Sequence, residues 1–530
     1  MNRSPFSFSR VLYTIMIFLI GVSAAFYIVK KQHTTPNAYD KLRDLIYFID
    51  HHYVDTVNHE LLSEDAIRGI LEHLDPHSVY STAEENKAQT EQLDGIFEGI
   101  GVQFNIMNDT IMVIAAIAGG PSESVGIKAG DRIVRVNDET VADIGITNEQ
   151  VFKLLRGKKG TTVKVGILRL NVIGVIDFEI TRDVIPTNSV TSAYMITDET
   201  GYIKVDQFGG HTSEEFYEAL AKLIPKGMKK LIVDLRGNTG GYLESALRIT
   251  DHFLEKGDLI LSIKGLHSKS EKFYASGKGV YKNGELIVLI DEFSASSSEI
   301  FAGAIQDNDR GTILGRQSFG KGLVQRPFDF SDGSQVRLTV SRYYTPSGRC
   351  IQRDYTNGTN AYYEDLINRI IEDEDSSFIK TDTLPSMEYR TKSGRIVYGG
   401  GGITPDILIS HEKRIHSNDF YQVLNSAALI QFAFNYANQN KETLTKHFPT
   451  PESFINNMNV SDAVFNDYLK FYVQKNSAVI PILNTTESKE LKIWLKAFIG
   501  RNLYQDDAFY PIINTMDDVI QQAVKYNQKF

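Results

Sequence analysis

Residues Val288 to Gln325 read VLIDEFSASSSEIFAGAIQDNDRGTILGRQSFGKGLVQ. The apolar run Leu286 to Ile290 predicts a buried strand that ends in Asp291-Glu292-Phe293. A cluster of small residues follows, Ser294-Ala295-Ser296-Ser297-Ser298. Glu299 to Asn308 then has helical spacing, with Ile300, Phe301, Ala304 and Ile305 on one face. Serines at such a strand-to-helix turn stand beside the unpaired N–H groups of a helix start. Downstream, Lys321 lies between Gly320 and Gly322, and Gln325 follows four residues later. A serine, a lysine and a glutamine make a catalytic set that needs no histidine. Each half also has a plainer reading, as helix capping and as a surface lysine.

The same local grammar occurs upstream. Lys229 to Leu235 reads as a buried strand running into Arg236-Gly237-Asn238-Thr239-Gly240-Gly241, and a helix is expected from Leu243 to Leu254. A glycine turn between strand and helix is a place where backbone amides point at an anion or a developing oxyanion. Two strand-turn-helix units imply an α/β core with both turns at the carboxyl ends of strands, where such sheets place their sites. Gly201 to Phe208 and Gln335 to Tyr344 read as further strands, and Ser213 to Leu223 as a helix. From His411 onward the pattern is helical and predicts a separate helical domain or assembly element.

Between Gly95 and about Val184 the texture changes to short strands and glycine turns. The order Gly99-Ile100-Gly101-Val102-Gln103-Phe104, a strand over Ile111 to Ile114, Gly120-Pro121-Ser122, the run Gly130 to Asn137, a helix over Glu149 to Leu155 and a strand over Thr162 to Leu168 resembles a PDZ domain. That resemblance implies that Gly99, Ile100, Gly101 and Val102 receive a peptide C-terminus, with the adjoining edge strand taking the tail by strand addition. Ahead of it, helices are expected over Tyr39 to His52 and over Ser63 to Leu74, the latter capped by Ser63. His51, His52, His73 and His77 have no matched ligand spacing and read as surface or packing residues.

A chain of 530 residues is too long for one core. Its formal net charge of −10 argues against a general nucleic-acid binder. One cysteine, Cys350, excludes a disulfide framework and a multi-cysteine zinc site. Val11 to Val29 is an uncharged run of about 19 residues, enough to cross a hydrocarbon core of about 30 Å and longer than most signal-peptide cores. It predicts an anchor in a bacterial inner membrane with the following domains facing the periplasm, or an exported periplasmic protein if the segment is cleaved. The expected layout is a tail over 1–10, the anchor or signal segment over 11–29, an N-terminal helical region over 38–93, the PDZ domain over 95–184, the α/β core over 190–410 and C-terminal helices over 411–530.

Metallohydrolysis needs an HExxH-type pair or clustered ligands, which none of the twelve histidines offers; no metal and no cofactor are expected. The chain has no Gly-x-Ser-x-Gly elbow. Gly237 to Gly241 resembles the Gly-Asn-Ser-Gly-Gly of chymotrypsin-like proteases, but threonine stands at the serine position and the PDZ segment comes first. A Ser-Lys dyad requires a lysine whose pKa falls well below about 10.4, which burial in an apolar pocket achieves. Phe319, Leu323 and the flanking glycines suit Lys321 to that.

Asp234 to Gly241, Ser294 to Glu299 and Phe319 to Gln325, together with the PDZ position, resemble the carboxyl-terminal processing peptidases, or tail-specific proteases, over roughly Tyr39 to Ile409. The resemblance implies an α/β protease core of the ClpP/crotonase-like type with an inserted or preceding PDZ domain, and a serine endopeptidase acting on unfolded or tail-bearing proteins. It implies Ser296 as nucleophile, Lys321 as general base and Gln325 as its orienter. The N–H groups of Gly241 and Ser297 would form the oxyanion hole, with Glu299, Asp307 and Ser318 in support. Serine at 297, where the family commonly has alanine, leaves Ser294 and Ser297 as rival nucleophiles. Partners expected are such protein substrates, the membrane through the N-terminal segment, and a homo-oligomer or adaptor through the C-terminal helices. A PDZ scaffold without catalysis is the alternative.

Overall fold

A computed structural model describes residues 13, 15–23, 38–107, 109–117, 119–169, 172–373, 387–410, 416–476 and 479–526. The chain forms two compact units, Met1–Ile70 and Leu71–Phe530. The first carries the helix Ala38–His52 and most of the helix His59–Leu71. That second helix begins earlier than the sequence suggests. Asn58 Oδ1 accepts from the N–H groups of Glu60 and Leu61 at 3.0 and 3.2 Å, while the Ser63 hydroxyl donates inside the helix to the His59 carbonyl. Asn58 is therefore the cap, and Ser63 is not.

Among the described residues no helix is long and apolar enough to cross a membrane. Of the stretch 11–29, residues 11, 12, 14 and 24–29 lie outside the described residues. With no such helix among the described residues, the expected membrane span is corrected, and with it the membrane as a partner and the inner-membrane placement.

The second unit is built around a six-stranded sheet in the order Val190–Met195, Thr200–Val205, Lys230–Asp234, Glu285–Ile290, Thr312–Gly315, Ile407–Leu408. The first pair is antiparallel and the rest are parallel. Its central strands carry the continuous apolar runs Leu231–Val233 and Leu286–Ile290, as expected where both faces are covered. Side chains alternate between the faces. Leu231, Val233, Leu286, Val288 and Ile290 join the core beneath the helices Thr212–Leu223, Leu243–Asp251 and Ser297–Asp307. Ile232, Ile287 and Leu289 point the other way, onto Ile520 and Ala523 of the helix Asp518–Lys525. The helices between Asn418 and Ile513 have their own core, built around Phe454, Tyr468, Leu491 and Leu495. The stretch 411–530 is thus not self-contained, because the helix Asp518–Lys525 covers one face of the core sheet. Pattern alone shows an amphipathic helix but not what it covers.

A second, antiparallel sheet joins Val79–Ser81, Gln335–Tyr344, Leu259–Lys264 and Glu271–Tyr274, with Leu323–Asp329 also paired to Gln335–Tyr344. The PDZ sheet runs Val102–Ile106, Ile111–Ala116, Arg132–Val136, Thr162–Leu168, Val175–Thr181 around its own core. The chain enters this domain through Ile96–Gly99 and leaves through Asp183–Pro186, which pair with each other. Since Val79–Ser81 already belongs to the second sheet, the PDZ domain is inserted rather than simply preceding.

Candidate active site

The strand Glu285–Ile290 ends in a turn organised by Asp291. Its carboxylate accepts from the N–H groups of Phe293 and Ser294, both at 3.1 Å, and from Gly237 at 2.9 and 3.1 Å. One side chain therefore shapes the serine turn and ties it to the glycine loop. Ser296 then takes φ 54° and ψ −111°, a conformation that costs a non-glycine residue about 1–3 kcal/mol. Several contacts hold it there. Its N–H donates to Glu299 Oε2 at 2.8 Å, and its carbonyl accepts from Ile300 N at 2.9 Å and from the Tyr343 hydroxyl at 3.2 Å.

The four serines differ sharply. Ser294, Ser297 and Ser298 are buried, and each hydroxyl is committed. Ser294 Oγ donates to the Leu235 carbonyl at 2.8 Å, Ser297 Oγ to the Gly241 carbonyl at 3.0 Å, and Ser298 Oγ to the Asn238 carbonyl at 2.9 Å. Ser296 is half-buried, and among the described residues its hydroxyl, which sits in a capping box with Glu299, donates to no carbonyl.

Lys321 Nζ donates to Gln325 Oε1 at 2.9 Å. Gln325 Nε2 donates in turn to the His77 carbonyl, which can only accept and so fixes which end of the amide faces the lysine. Burial pushes the Lys321 ammonium down to about 8; Arg337 adds to this, while Glu299 and Asp75 oppose it. Glu299 is buried and joins the two halves of the set. Oε1 accepts from Ser318 Oγ at 2.6 Å and Gly320 N at 2.7 Å, and Oε2 accepts from Lys321 N at 2.9 Å as well as from Ser296 N. Burial lifts its carboxyl to about 7 against those four hydrogen bonds. The Tyr343 hydroxyl makes a second bridge, to the Lys321 carbonyl at 2.6 Å and to that of Ser296.

The glycine loop lies against the serine. A side chain at Gly240 would meet Ser296 Cβ at 2.8 Å, and one at Gly241 would meet the Phe208 carbonyl at 2.2 Å. The two glycines take φ 106° and 143°. Among the described residues neither Gly241 N–H nor Ser297 N–H has an acceptor, so both are available as donors.

Ser296, Lys321, Gln325, Gly241, Ser297, Glu299 and Ser318 thus lie in one connected set. Asp307 does not. It sits at the far end of the helix Ser297–Asp307, about 15 Å from Ser296 by helical rise, where it binds buried Arg349 at 2.8 Å and Ser347 N at 3.0 Å. Gly99, Ile100, Gly101 and Val102 head the edge strand of the PDZ sheet. Gly101 takes φ 72°, and the Ile100 carbonyl accepts from Ser122 N and Oγ at 3.0 and 2.6 Å. Phe104 of that strand and Phe152 of the helix Asn148–Leu155 have ring centres 5.5 Å apart.

Sequence reasoning missed Tyr343, Asp291 and the polar network of His77. His77 is buried against Phe319 and Tyr362, and its Nε2 lies 3.0 Å from the Tyr362 hydroxyl. Burial and then the charge of Lys321 push its imidazole down to about 4, with Asp75 opposing and Arg353 adding. No spacing rule marks a tyrosine that donates to carbonyls 47 and 22 residues away.

Residues 199–359 match the model of peptidase family S41, 99–178 that of the PDZ domain, and 420–506 that of a family of unknown function. The carboxy-terminal processing protease CtpA of Bacillus subtilis is 35% identical over 325 residues, covering 61% of this chain and 69% of that protein. The carboxy-terminal-processing protease of Bartonella bacilliformis is 34% identical over 350 residues, covering 64% and 80%. Among solved structures, a photosystem II D1 C-terminal processing protease matches with 24% identity and a TM-score of 0.37, covering 71% of this chain and 88% of that one. With four-fifths of a relative's length matched at this identity, the chain belongs to the carboxy-terminal processing proteases of peptidase family S41.

Proposed function

We propose that Ser296 is the nucleophile and Lys321 the general base of this serine endopeptidase, which recognises C-terminal tails through its PDZ domain. The observation that carries the assignment is that the Ser296 hydroxyl donates to no carbonyl among the described residues, in a cluster where the other three serines each donate to one. Neutral Lys321 takes the Ser296 proton as Oγ attacks a peptide carbonyl carbon. Gly241 and Ser297 N–H groups hold the oxyanion. As the tetrahedral species collapses, the C–N bond breaks and Lys321 returns the proton to the leaving amine. Water, deprotonated by the same lysine, then attacks the acyl ester; the C–Oγ bond breaks and Lys321 returns that proton to Ser296 Oγ, restoring both groups. Gln325 orients the amine, and Glu299 and Ser318 fix the backbone on which both partners sit.

The tail-binding assignment to Gly99, Ile100, Gly101 and Val102 is supported by their place at the head of an uncovered edge strand, where a peptide can add as a further strand. We read the core as ClpP/crotonase-like on its run of strand-helix crossovers. The domain layout is PDZ 95–184, core 190–410 and C-terminal helices from 411, with 71–94 serving the core. A fluorophosphonate probe tests the dyad: labelling at Ser296 that is lost in S296A and K321A is expected. No labelling of folded wild type under any activating condition supports a catalytically idle PDZ scaffold instead.

A further inference from the structure

We propose that Asp517, in the C-terminal helical region, is a positioning residue for the oxyanion loop and sets its geometry through Arg236. This rests on the reading of Gly241 as an oxyanion donor. The loop 236–241 is rich in glycine, with φ of 74°, 106° and 143° at Gly237, Gly240 and Gly241, so its shape must come from anchors. Its far end is held by Phe208, whose N–H donates to the Gly240 carbonyl at 2.9 Å and whose carbonyl accepts from Tyr242 N at 2.6 Å. Its near end is Arg236, held between two carboxylates.

Asp234 takes Arg236 Nε at 2.9 Å and Nη2 at 2.6 Å. Asp517 takes Nη1 at 3.2 Å and Nη2 at 2.9 Å from the other side. Both contacts are two-pronged, a geometry that fixes orientation as well as charge. Lys204 Nζ donates to the Arg236 carbonyl, and the Tyr202 hydroxyl donates to Asp234 Oδ2 at 2.8 Å. Burial pushes the Asp234 carboxyl up, and Arg236 and Lys204 more than offset it, holding it well below the usual carboxylate range. Arg236 answers in kind: burial lowers it and the two aspartates hold it above its ordinary value.

Asp517 is itself immobilised. Its Oδ1 accepts from Ile520 N at 3.0 Å, capping the helix Asp518–Lys525 that covers the back of the core sheet. Asn514 Nδ2 donates to the Tyr194 hydroxyl at 2.9 Å, and Lys230 Nζ donates to the carbonyls of Val524 and Tyr526. The segment 514–526 therefore reaches the catalytic end of the sheet with one rigid acidic group. Without Asp517 the fork of Arg236 has one carboxylate instead of two, and the glycine loop loses an anchor next to its donor.

The test compares full-length wild type, D517N, R236K, K230A and S296A, each at a temperature where circular dichroism shows it fully folded. The probe is a quenched fluorescent peptide ending in apolar residues. D517N is expected to lower kcat about tenfold at unchanged KM, a fraction of the loss seen when an oxyanion donor is removed outright. R236K keeps the charge but not the fork, carries the same expectation, and serves if D517N does not fold. Lys230 holds only the far end of the same helix, at Val524 and Tyr526, while Asp517 keeps its own bond to Ile520, so K230A is expected to lower Tm and leave kcat unchanged. Wild-type kcat in folded D517N or R236K overturns the proposal, as does an equal loss in K230A or failure of both loop variants to fold. S296A keeps the two readings apart. An active S296A sinks the site itself, whereas an inactive S296A beside a D517N of full kcat sinks only the role of Asp517.

Discussion

Lys321, the proposed base, can take a proton only when neutral, and its burial places that titration at about 8. We expect kcat/KM to rise with pH through that value, gaining about tenfold between pH 7 and 9 and then levelling. K321R, which stays charged, should be inactive at every pH. Glu299 spends two oxygens on four donors. In E299Q an NH2 group must face two of those donors, so urea unfolding should show a loss of about 2–3 kcal/mol. The sign of its pH linkage follows from a carboxyl raised to about 7. The folded state binds more protons than the unfolded one between the ordinary value and 7, so that contribution is present at low pH and is lost as pH rises through 7. His77, lowered to about 4, works in the opposite sense below 6.5. The decline from pH 6.5 through 7 should therefore vanish in E299Q. Among the serines, S294A deletes a buried hydroxyl and should cost about 1–2 kcal/mol while probe labelling at residue 296 persists. S297A keeps its N–H and should retain kcat within a few-fold.

At the scale of elements, the two strand-turn-helix units leave glycine loop and serine turn in contact. G241A puts a methyl group 2.2 Å from a backbone carbonyl, so the loop must move. The expected loss in kcat is about 10²–10³ at nearly unchanged KM, measured on an apolar-tailed peptide. This part of the molecule was largely legible in the residues. A continuous apolar run, a small-residue turn and a 3.6-residue period describe local geometry, and local geometry puts Ser296, Gly241 and Ser297 where they are. Lys321 and Gln325 were legible from the family's motif rather than from strand alternation, since Lys321 precedes the strand Leu323–Asp329 and a register shift falls between Val324 and Gln325. Tyr343 was not, since its partners lie across a fold that no local pattern encodes. Asp307 shows the opposite failure: a carboxylate eleven residues from Ser296 looks near in sequence but is three helical turns away, bound to Arg349.

At the scale of the whole molecule, the PDZ domain leaves and rejoins the core at one point, where Thr187 N donates to the Gly95 carbonyl at 2.7 Å. Replacing residues 96–186 with a short Gly-Ser linker should leave a core that unfolds cooperatively but no longer distinguishes apolar from acidic tails, checked by calorimetry and competition cleavage. The PDZ order was readable from its turns and short strands. The cover provided by Asp518–Lys525 was not, because Ile520 and Ala523 find Ile232, Ile287 and Leu289 across about half the length of the chain. That long reach has a meaning in time. A ribosome delivers Ser296, Lys321 and the glycine loop well before it delivers Asp517 and the helix behind the sheet. A nascent chain thus owns its cutting residues while the sheet that aims them is still bare on one side. The helix that covers the sheet is made after the residues it helps to aim, so a half-made protease is poorly armed against its own unfolded surroundings.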